Sequence, residues 1–139
     1  MLGLVSTPDA SVSCVNADHA GSDACVRQPS HAAVALGEAN KLSIRLNDKA
    51  GGFSPTEIDL DLGTGGAGPT SLVIGQFDNN SKLDVALTAN YTGNVTVLLN
   101  FDPLSKTFAS RSYVKVGNEP LDIAAGQFGG DSKPDLVVV

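Results

Sequence analysis

The sequence predicts an all-β protein that is built from a repeated unit of four antiparallel strands. The segment GQFDNNSKLDVAL, which begins at Gly75, recurs 51 residues later as GQFGGDSKPDLVV, which begins at Gly126. Apolar runs rich in β-branched residues are short and are bounded by Gly, Asn, Asp, Ser and Pro, and no segment shows a sustained helical period. A period of about 50 residues indicates one supersecondary unit that is copied along the chain and stabilised by stacking on its neighbours.

The composition is that of a globular domain and argues against two classes of partner. The chain has 139 residues, of which 42% are hydrophobic and 17% charged. A net charge of −6 argues against nucleic-acid binding and suits a cation-binding or extracellular surface. No apolar window approaches the length of a membrane span, and the start, MLGLVSTPDASV, lacks the basic and apolar regions of a signal peptide.

The complete copy of the repeat covers residues 66–116. Turn-forming stretches DNNSK, YTGN and FDPLSK separate its apolar runs. Its four predicted strands are SLVIGQF (71–77), DVALTA (84–89), NVTVLLN (94–100) and FASRSYVKV (108–116).

The neighbouring copies are partial. The third, residues 117–139, starts around Pro120, which matches Pro69, and supplies two predicted strands within LDIAAGQF (121–128) and DLVVV (135–139). The first copy has three clear strands in residues 32–65, namely AAVALG (32–37), KLSIRLN (41–47) and GGFSPTEIDL (51–60). Residues 1–31 hold its first strand, ASVSCVN (10–16), and a cysteine-containing insertion. The chain therefore contains about two and a half copies.

The loop QFDNNSKLD presents oxygen atoms at alternate positions, which favours a calcium site. Counting Gln76 as position one, the candidate ligands are the side chains of Gln76, Asp78, Asn80 and Asp84 and the carbonyl of Lys82. Carboxylate, amide and carbonyl oxygens in this alternation are typical of calcium loops, and they suit calcium better than magnesium.

The second loop, QFGGDSKPD, repeats the pattern with fewer ligands. It offers Gln127, Asp131, the carbonyl of Lys133 and Asp135, while Gly129 contributes no side chain at position three. We expect this loop to bind calcium more weakly than the first. The alternative interpretation is that both loops are ordinary turns, because Asn, Asp and Ser are common turn residues.

The first copy has lost the loop, since its corresponding segment, CVRQPSHAA, contains no carboxylate. Cys14 and Cys25 lie in the same connection, and a disulfide between them would contribute about 2–3 kcal/mol. Two unpaired core thiols are one alternative. Zinc bound by Cys14, His19, Cys25 and His31 is another, although the C-x2-C pair of structural zinc sites is missing. We hypothesise that a disulfide replaces the ion in this copy.

Residues 32–139 resemble the FG-GAP and VCBS repeats in the order of an apolar strand, Gly-x-Phe, an Asp/Asn loop, a closing Asp and a Val-rich strand. The resemblance implies β-propeller blades of four antiparallel strands with calcium held at the loop positions named above. Gln at position one departs from the family's usual Asp, which implies lower affinity. Family propellers close a ring of around seven blades, so two and a half blades do not close a ring. Their open edges are expected to pair with a protein partner or with other copies, as a ring or a filament.

The expected function is that of a non-enzymatic, extracellular calcium-binding module for adhesion or assembly, secreted or at the cell surface. Glycosylation sequons at Asn79, Asn90 and Asn94 fit an exported glycoprotein. The chain lacks the catalytic motifs G-x-S-x-G and H-E-x-x-H. Asp59 and Asp61 are spaced as on one face of a strand, and a solvated face is favoured over an acid/base pair. The alternatives are a self-assembling subunit of an extracellular fibre, a carbohydrate-binding module that uses Tyr91 and Tyr113, and an accessory segment of a larger secreted propeller protein or enzyme.

Overall fold

The computed structural model describes residues 31–48, 50, 52–80, 82–131 and 133–139, together with the backbone of residues 10–15. These residues form ten β-strands and a 3-10 turn at Thr64–Gly66, and they contain no α-helix. The all-β prediction is confirmed. Within the same residues, no helix is long and apolar enough to cross a membrane.

The strands are grouped into three antiparallel sheets, and none of the sheets is closed on itself. In each sheet a strand pairs with the next strand along the chain, as successive hairpins do. The first sheet contains β1 (Ala10–Val15), β2 (His31–Leu36), β3 (Lys41–Asn47) and β4 (Phe53–Asp61). The second contains β5 (Pro69–Gly75), β6 (Asp84–Ala89), β7 (Asn94–Asp102) and β8 (Thr107–Lys115). The third contains β9 (Ile123–Gly126) and β10 (Asp135–Val138).

Every strand predicted in the sequence has a counterpart in the structure, and the main differences are at strand ends. β5 ends at Gly75, because the next residues, Gln76 and Phe77, already belong to the loop. β9 begins only at Ile123, because the N–H groups of Leu121 and Asp122 both donate to the carbonyl of Val139 instead of joining a regular ladder.

The second sheet is packed on both faces, and β6 shows this most clearly. All six residues of β6 are fully buried. Val85 and Leu87 join an apolar cluster with the first sheet, whereas Ala86 joins a cluster with Ile123 of the third sheet. Successive side chains of a strand point to opposite faces, so one continuous apolar strand serves two interfaces. The first strands of the three sheets lie side by side, with β5 between β1 and β9.

A glycine-rich linker, residues 63–68, joins the first sheet to the second and is covered by two tyrosines. A Cβ atom on Gly65 would lie 2.8 Å from the ring of Tyr113, and one on Gly68 would lie 2.7 Å from the ring of Tyr91. The Tyr113 hydroxyl also donates a hydrogen bond of 2.8 Å to the carbonyl of Leu62. The glycines therefore allow the rings to contact the linker backbone, which ties the connection to the second sheet.

The carboxylate of Asp122 links the second and third sheets through hydrogen bonds whose contribution to stability depends on pH. Its Oδ1 accepts hydrogen bonds from the hydroxyl of Ser71, at 2.6 Å, and from the N–H of Ile123, at 2.9 Å. These bonds, that from Ser71 first, lower the pKa of Asp122 below its ordinary value. A lowered folded-state pKa stabilises the fold above the unfolded value, and that contribution is lost as the pH falls through the folded value.

We predict that Asp122→Asn is destabilising at pH 6 and that the difference in unfolding free energy from the wild type narrows as the pH falls below the ordinary aspartate pKa of about 3.9. Below that pH the unfolded wild-type chain takes up the proton before the folded chain does, because the pKa of Asp122 is lowered in the folded state. Urea unfolding between pH 2.5 and 6 measures this difference. Ser71→Ala should remove most of the same pH dependence, because the Ser71 hydroxyl is the largest cause of the shift. If the difference in unfolding free energy between Asp122→Asn and the wild type stayed constant with pH, the pH-dependent role of Asp122 would be contradicted.

Candidate metal centre

The carboxylate of Asp84 anchors the first loop to the third strand of its sheet. Asp84 is the first residue of β6 and is fully buried. Its Oδ2 accepts a hydrogen bond of 2.6 Å from the N–H of Phe77, and its Oδ1 accepts one of 2.7 Å from the N–H of Asn100. A carboxylate has about four acceptor positions, so the donors among the described residues leave one position on each oxygen of Asp84 for a further partner.

Asp78, at position three of the loop, has one satisfied and one unsatisfied oxygen. Its Oδ2 accepts hydrogen bonds from the side-chain amides of Asn80, at 2.8 Å, and Asn100, at 2.9 Å. Its Oδ1 is buried and receives no hydrogen bond from the described residues. A buried acceptor without a donor is unfavourable by about 1–3 kcal/mol, more for a charged group. This oxygen therefore points to a cation or an ordered water at the loop.

The remaining predicted ligands flank this cluster. Asn80 Oδ1 accepts a hydrogen bond of 2.9 Å from the N–H of Lys82, which closes the turn. Gln76 is half-buried directly after β5, and Lys82 is exposed near the end of the loop. The structure thus brings Asp78, Asn80 and Asp84 into one hydrogen-bonded network through Asn100, and the backbone N–H of Lys82 joins it at Asn80.

The second loop repeats the first with a more exposed network. Asp135 Oδ2 accepts hydrogen bonds of 2.7 Å from the N–H groups of both Phe128 and Gly129. Asp131 Oδ1 accepts one of 3.0 Å from the N–H of Lys133, as Asn80 does from Lys82 in the first loop. Asp131 and Lys133 are exposed and Asp135 is half-buried, and Gln127 is exposed at the start of the loop. The weaker predicted site is therefore also the more solvated one.

The Gly-x-Phe motif that precedes each loop has a packing origin. A Cβ atom on Gly75 would lie 3.1 Å from the ring of Phe77, and one on Gly126 would lie 2.7 Å from the ring of Phe128. The phenylalanine ring therefore folds back over the glycine two residues earlier. Both copies need glycine for this contact, which explains why the motif recurs independently of any metal.

Asn100 is the residue of this network that the sequence reasoning missed. It lies on β7, outside the loop, and contacts the loop through its backbone N–H and through both atoms of its side-chain amide. Its φ of 63° lies in the left-handed region, which asparagine tolerates better than most residues. The sequence did contain a sign of this role. The apolar run NVTVLLN ends in Asn100, and the corresponding run KLSIRLN of the first copy ends in Asn47.

The predicted glycosylation sites occupy different surroundings. Asn79 is exposed and has a φ of 63°, at the same turn position as Gly130 in the second loop. Asn90 is half-buried in the turn before β7. Asn94 is also half-buried, and its amide nitrogen donates a hydrogen bond of 3.0 Å to the carbonyl of Gly65, which a glycan would displace. Asn79 is thus the most accessible of the three.

The predicted disulfide and the zinc alternative lie largely outside the described residues. Cys25, His19 and the side chain of Cys14 are not described, whereas His31 lies on β2. Its ring meets Phe101 edge-on at a centroid distance of 6.3 Å, and burial lowers its pKa, which favours a neutral imidazole. The ring lines a pocket of about 250 Å³ together with Lys82, Leu83, Phe101, Asp102 and Pro103.

Asp59 and Asp61, the paired carboxylates on β4, are both exposed. Asp59 lies 3.7 Å from the ammonium of Lys41, and Asp61 accepts a hydrogen bond of 2.6 Å from the N–H of Gly63. One carboxylate faces a surface cation and the other caps the linker. These contacts agree with a solvated strand face.

No three Asp, Glu, His or Cys side chains converge on one point within the described part of the chain. A cation at the first loop would therefore be held by two carboxylates together with amide and carbonyl oxygens. That all-oxygen set suits a hard cation such as calcium and lacks the nitrogen and sulfur ligands that zinc prefers.

We predict that Asp84→Asn destabilises the fold by about 2–3 kcal/mol in the presence of a chelator, because the amide nitrogen would face a backbone N–H donor. Asp135→Asn is the matched control. The two hydrogen bonds that it accepts from the described residues end on a single oxygen, which an asparagine also supplies, so the effect of the substitution should stay below about 1 kcal/mol. Urea unfolding measures both values, and equal effects would contradict the two geometries.

Comparison of the chain with protein-family models, with curated proteins and with solved structures gave no significant match.

Proposed function

We propose that this chain is a non-enzymatic, calcium-stabilised segment of a β-propeller-type protein and acts outside the cell in adhesion or assembly. The observation that carries the proposal is the buried Oδ1 of Asp78, which lies in an oxygen-rich loop and accepts no hydrogen bond from the residues that the structure describes. Calcium would bind this oxygen and the free acceptor positions of Asp84, and it would join the turn between β5 and β6 to β7.

The arrangement of the sheets supports the propeller part of the proposal. Two meandering four-stranded sheets are followed by two strands of a third, and β1, β5 and β9 lie side by side. Blades around an axis would place their first strands in this way. In this interpretation residues 1–31 and 32–65 form the first blade, residues 66–116 the second, and residues 117–139 half of the third.

The charge of the loops supports an extracellular setting. Each loop contributes two carboxylates, Asp78 and Asp84 in the first and Asp131 and Asp135 in the second. Few charges give weak binding, and extracellular calcium modules work at dissociation constants of about 0.1–1 mM. A disulfide between Cys14 and Cys25 would fit the same compartment.

Self-assembly into an extracellular fibre is the second candidate, and the third sheet favours it. β10 pairs with β9 and with no other described strand. Val137 and Val139 are 48% and 75% exposed, and Phe128, in the loop between the two strands, is 69% exposed. An apolar strand edge of this kind favours pairing with another strand.

Calcium should raise the melting temperature of the purified chain. Calcium at ten times its dissociation constant stabilises the native state by about 1.4 kcal/mol, which corresponds to a shift of about 3–6 °C for a domain of this size. Differential scanning calorimetry in chelator, in 10 mM magnesium and in 10 mM calcium measures the shift.

Asp78→Asn should remove most of this shift, whereas Asp59→Asn, an exposed carboxylate outside the loop, should preserve it. No shift at 10 mM calcium, or an equal shift with magnesium, would overturn the calcium assignment.

Association through β10 should depend on its apolar edge. We expect sedimentation velocity to show oligomers whose proportion rises with protein concentration, and Val137→Lys to shift the distribution to monomer because a charged edge opposes strand pairing. Lys106→Glu, a charge change in the turn between β7 and β8, is the control and should leave the distribution unchanged. A wild-type chain that stays monomeric at all concentrations would exclude the fibre candidate.

A further inference from the structure

Asn100 contacts three of the candidate ligands of the first loop, namely Asp78, Asn80 and Asp84. Its backbone N–H donates to Asp84 Oδ1 at 2.7 Å, and its Nδ2 donates to Asp78 Oδ2 at 2.9 Å. Its Oδ1 accepts a hydrogen bond from Nδ2 of Asn80. A residue from β7, 16 positions after Asp84 in the chain, thus completes a network that the loop does not complete by itself.

We infer that Asn100 determines the cation affinity of the first loop and alternates between two roles. Without a cation, its amide N–H group donates to Asp78 and partly satisfies that carboxylate. With a cation bound, the amide turns about its last side-chain bond, gives up the hydrogen bond that its Oδ1 accepts from Asn80, and presents Oδ1 as a further oxygen ligand. This inference rests on the proposed calcium-binding function.

The two roles follow from the chemistry of the amide. The torsion between Cβ and the amide group of asparagine is broad and roughly two-fold, so the oxygen and nitrogen can exchange places without moving the backbone. Amide oxygens are regular calcium ligands, and amide N–H groups are regular carboxylate partners. Asn100 therefore suits both states of Asp78.

The backbone limits which substitutions test this inference. Asn100 has a φ of 63°, a conformation that glycine and, to a lesser degree, asparagine and aspartate adopt readily. Asn100→Gly removes the amide and keeps this conformation. Asn100→Asp keeps the shape of the side chain, replaces the N–H donor by an acceptor, and raises the number of loop carboxylates from two to three.

Asn100→Asp should destabilise the chain without calcium and strengthen its binding of calcium. In chelator, the new carboxylate faces Asp78 in place of a donor, so like-charge repulsion should lower the melting temperature below that of the wild type. In calcium, the same carboxylate is an added charged ligand, and the affinity should rise about tenfold. Asn100→Gly should lower the melting temperature in chelator and weaken calcium binding about tenfold.

Asn94→Asp is the matched control. It makes the same chemical change on the same strand, but the Asn94 amide donates to the linker carbonyl of Gly65 and does not belong to the loop network. It should lose stability without changing the calcium affinity, and it also controls for the added negative charge of the whole chain.

Isothermal titration with calcium and melting curves in chelator test the inference, on the wild-type chain and the three variants at one ionic strength. Opposite effects of Asn100→Asp on stability and on affinity support it. A wild-type chain that binds calcium, with an Asn100→Asp variant whose affinity is unchanged or lower, overturns the inference and leaves the proposed function standing. A wild-type chain that does not bind calcium overturns both. If Asn100→Gly does not fold, the Asn100→Asp comparison alone decides.

Discussion

The carboxylate of Asp84 is the interaction on which the second sheet depends. It is fully buried, and it joins the N–H of Phe77, at the start of the loop, to the N–H of Asn100, on the third strand of the sheet. Without this acceptor, two backbone donors would be buried without partners, and each such loss is unfavourable by about 1–3 kcal/mol. The loop is therefore attached to the sheet at both ends before any cation is considered.

This attachment explains why the closing aspartate recurs in the third sheet even though the ligand set around it does not. Asp135 also accepts hydrogen bonds from the loop backbone, at Phe128 and Gly129, while Gly129 replaces the aspartate at position three. The backbone role of the closing aspartate is thus common to both described loops, whereas a carboxylate at position three, Asp78, is specific to the first. The closing aspartate therefore holds the turn in both loops whether or not a cation binds.

The strands were predictable from the sequence because the pattern that defines each strand lies within a few residues. The bounds of β3 and β6 were predicted without error from alternating apolar residues, β-branched residues and flanking turn residues. The contribution of Asn100 was not predictable in this way, because its partners lie 16 to 22 positions away and meet it only when β7 pairs with β6. The late start of β9 has the same cause, since it depends on contacts with Val139.

The second and third sheets differ in how extensively they pack against neighbouring sheets. The middle sheet has apolar clusters on both faces, so β6 is buried throughout and its loop is braced by Asn100. The third sheet has one such cluster, at Ile123, and leaves Val137 exposed on its last strand. A stacked repeat is stabilised by its interfaces as well as by its own sheet, so the sheet with one interface benefits most from an added partner. A cation at the first loop, as proposed above, would therefore strengthen a sheet that is already packed on both faces. A strand that paired with β10 would instead add contacts to a sheet that has one apolar cluster among the described residues.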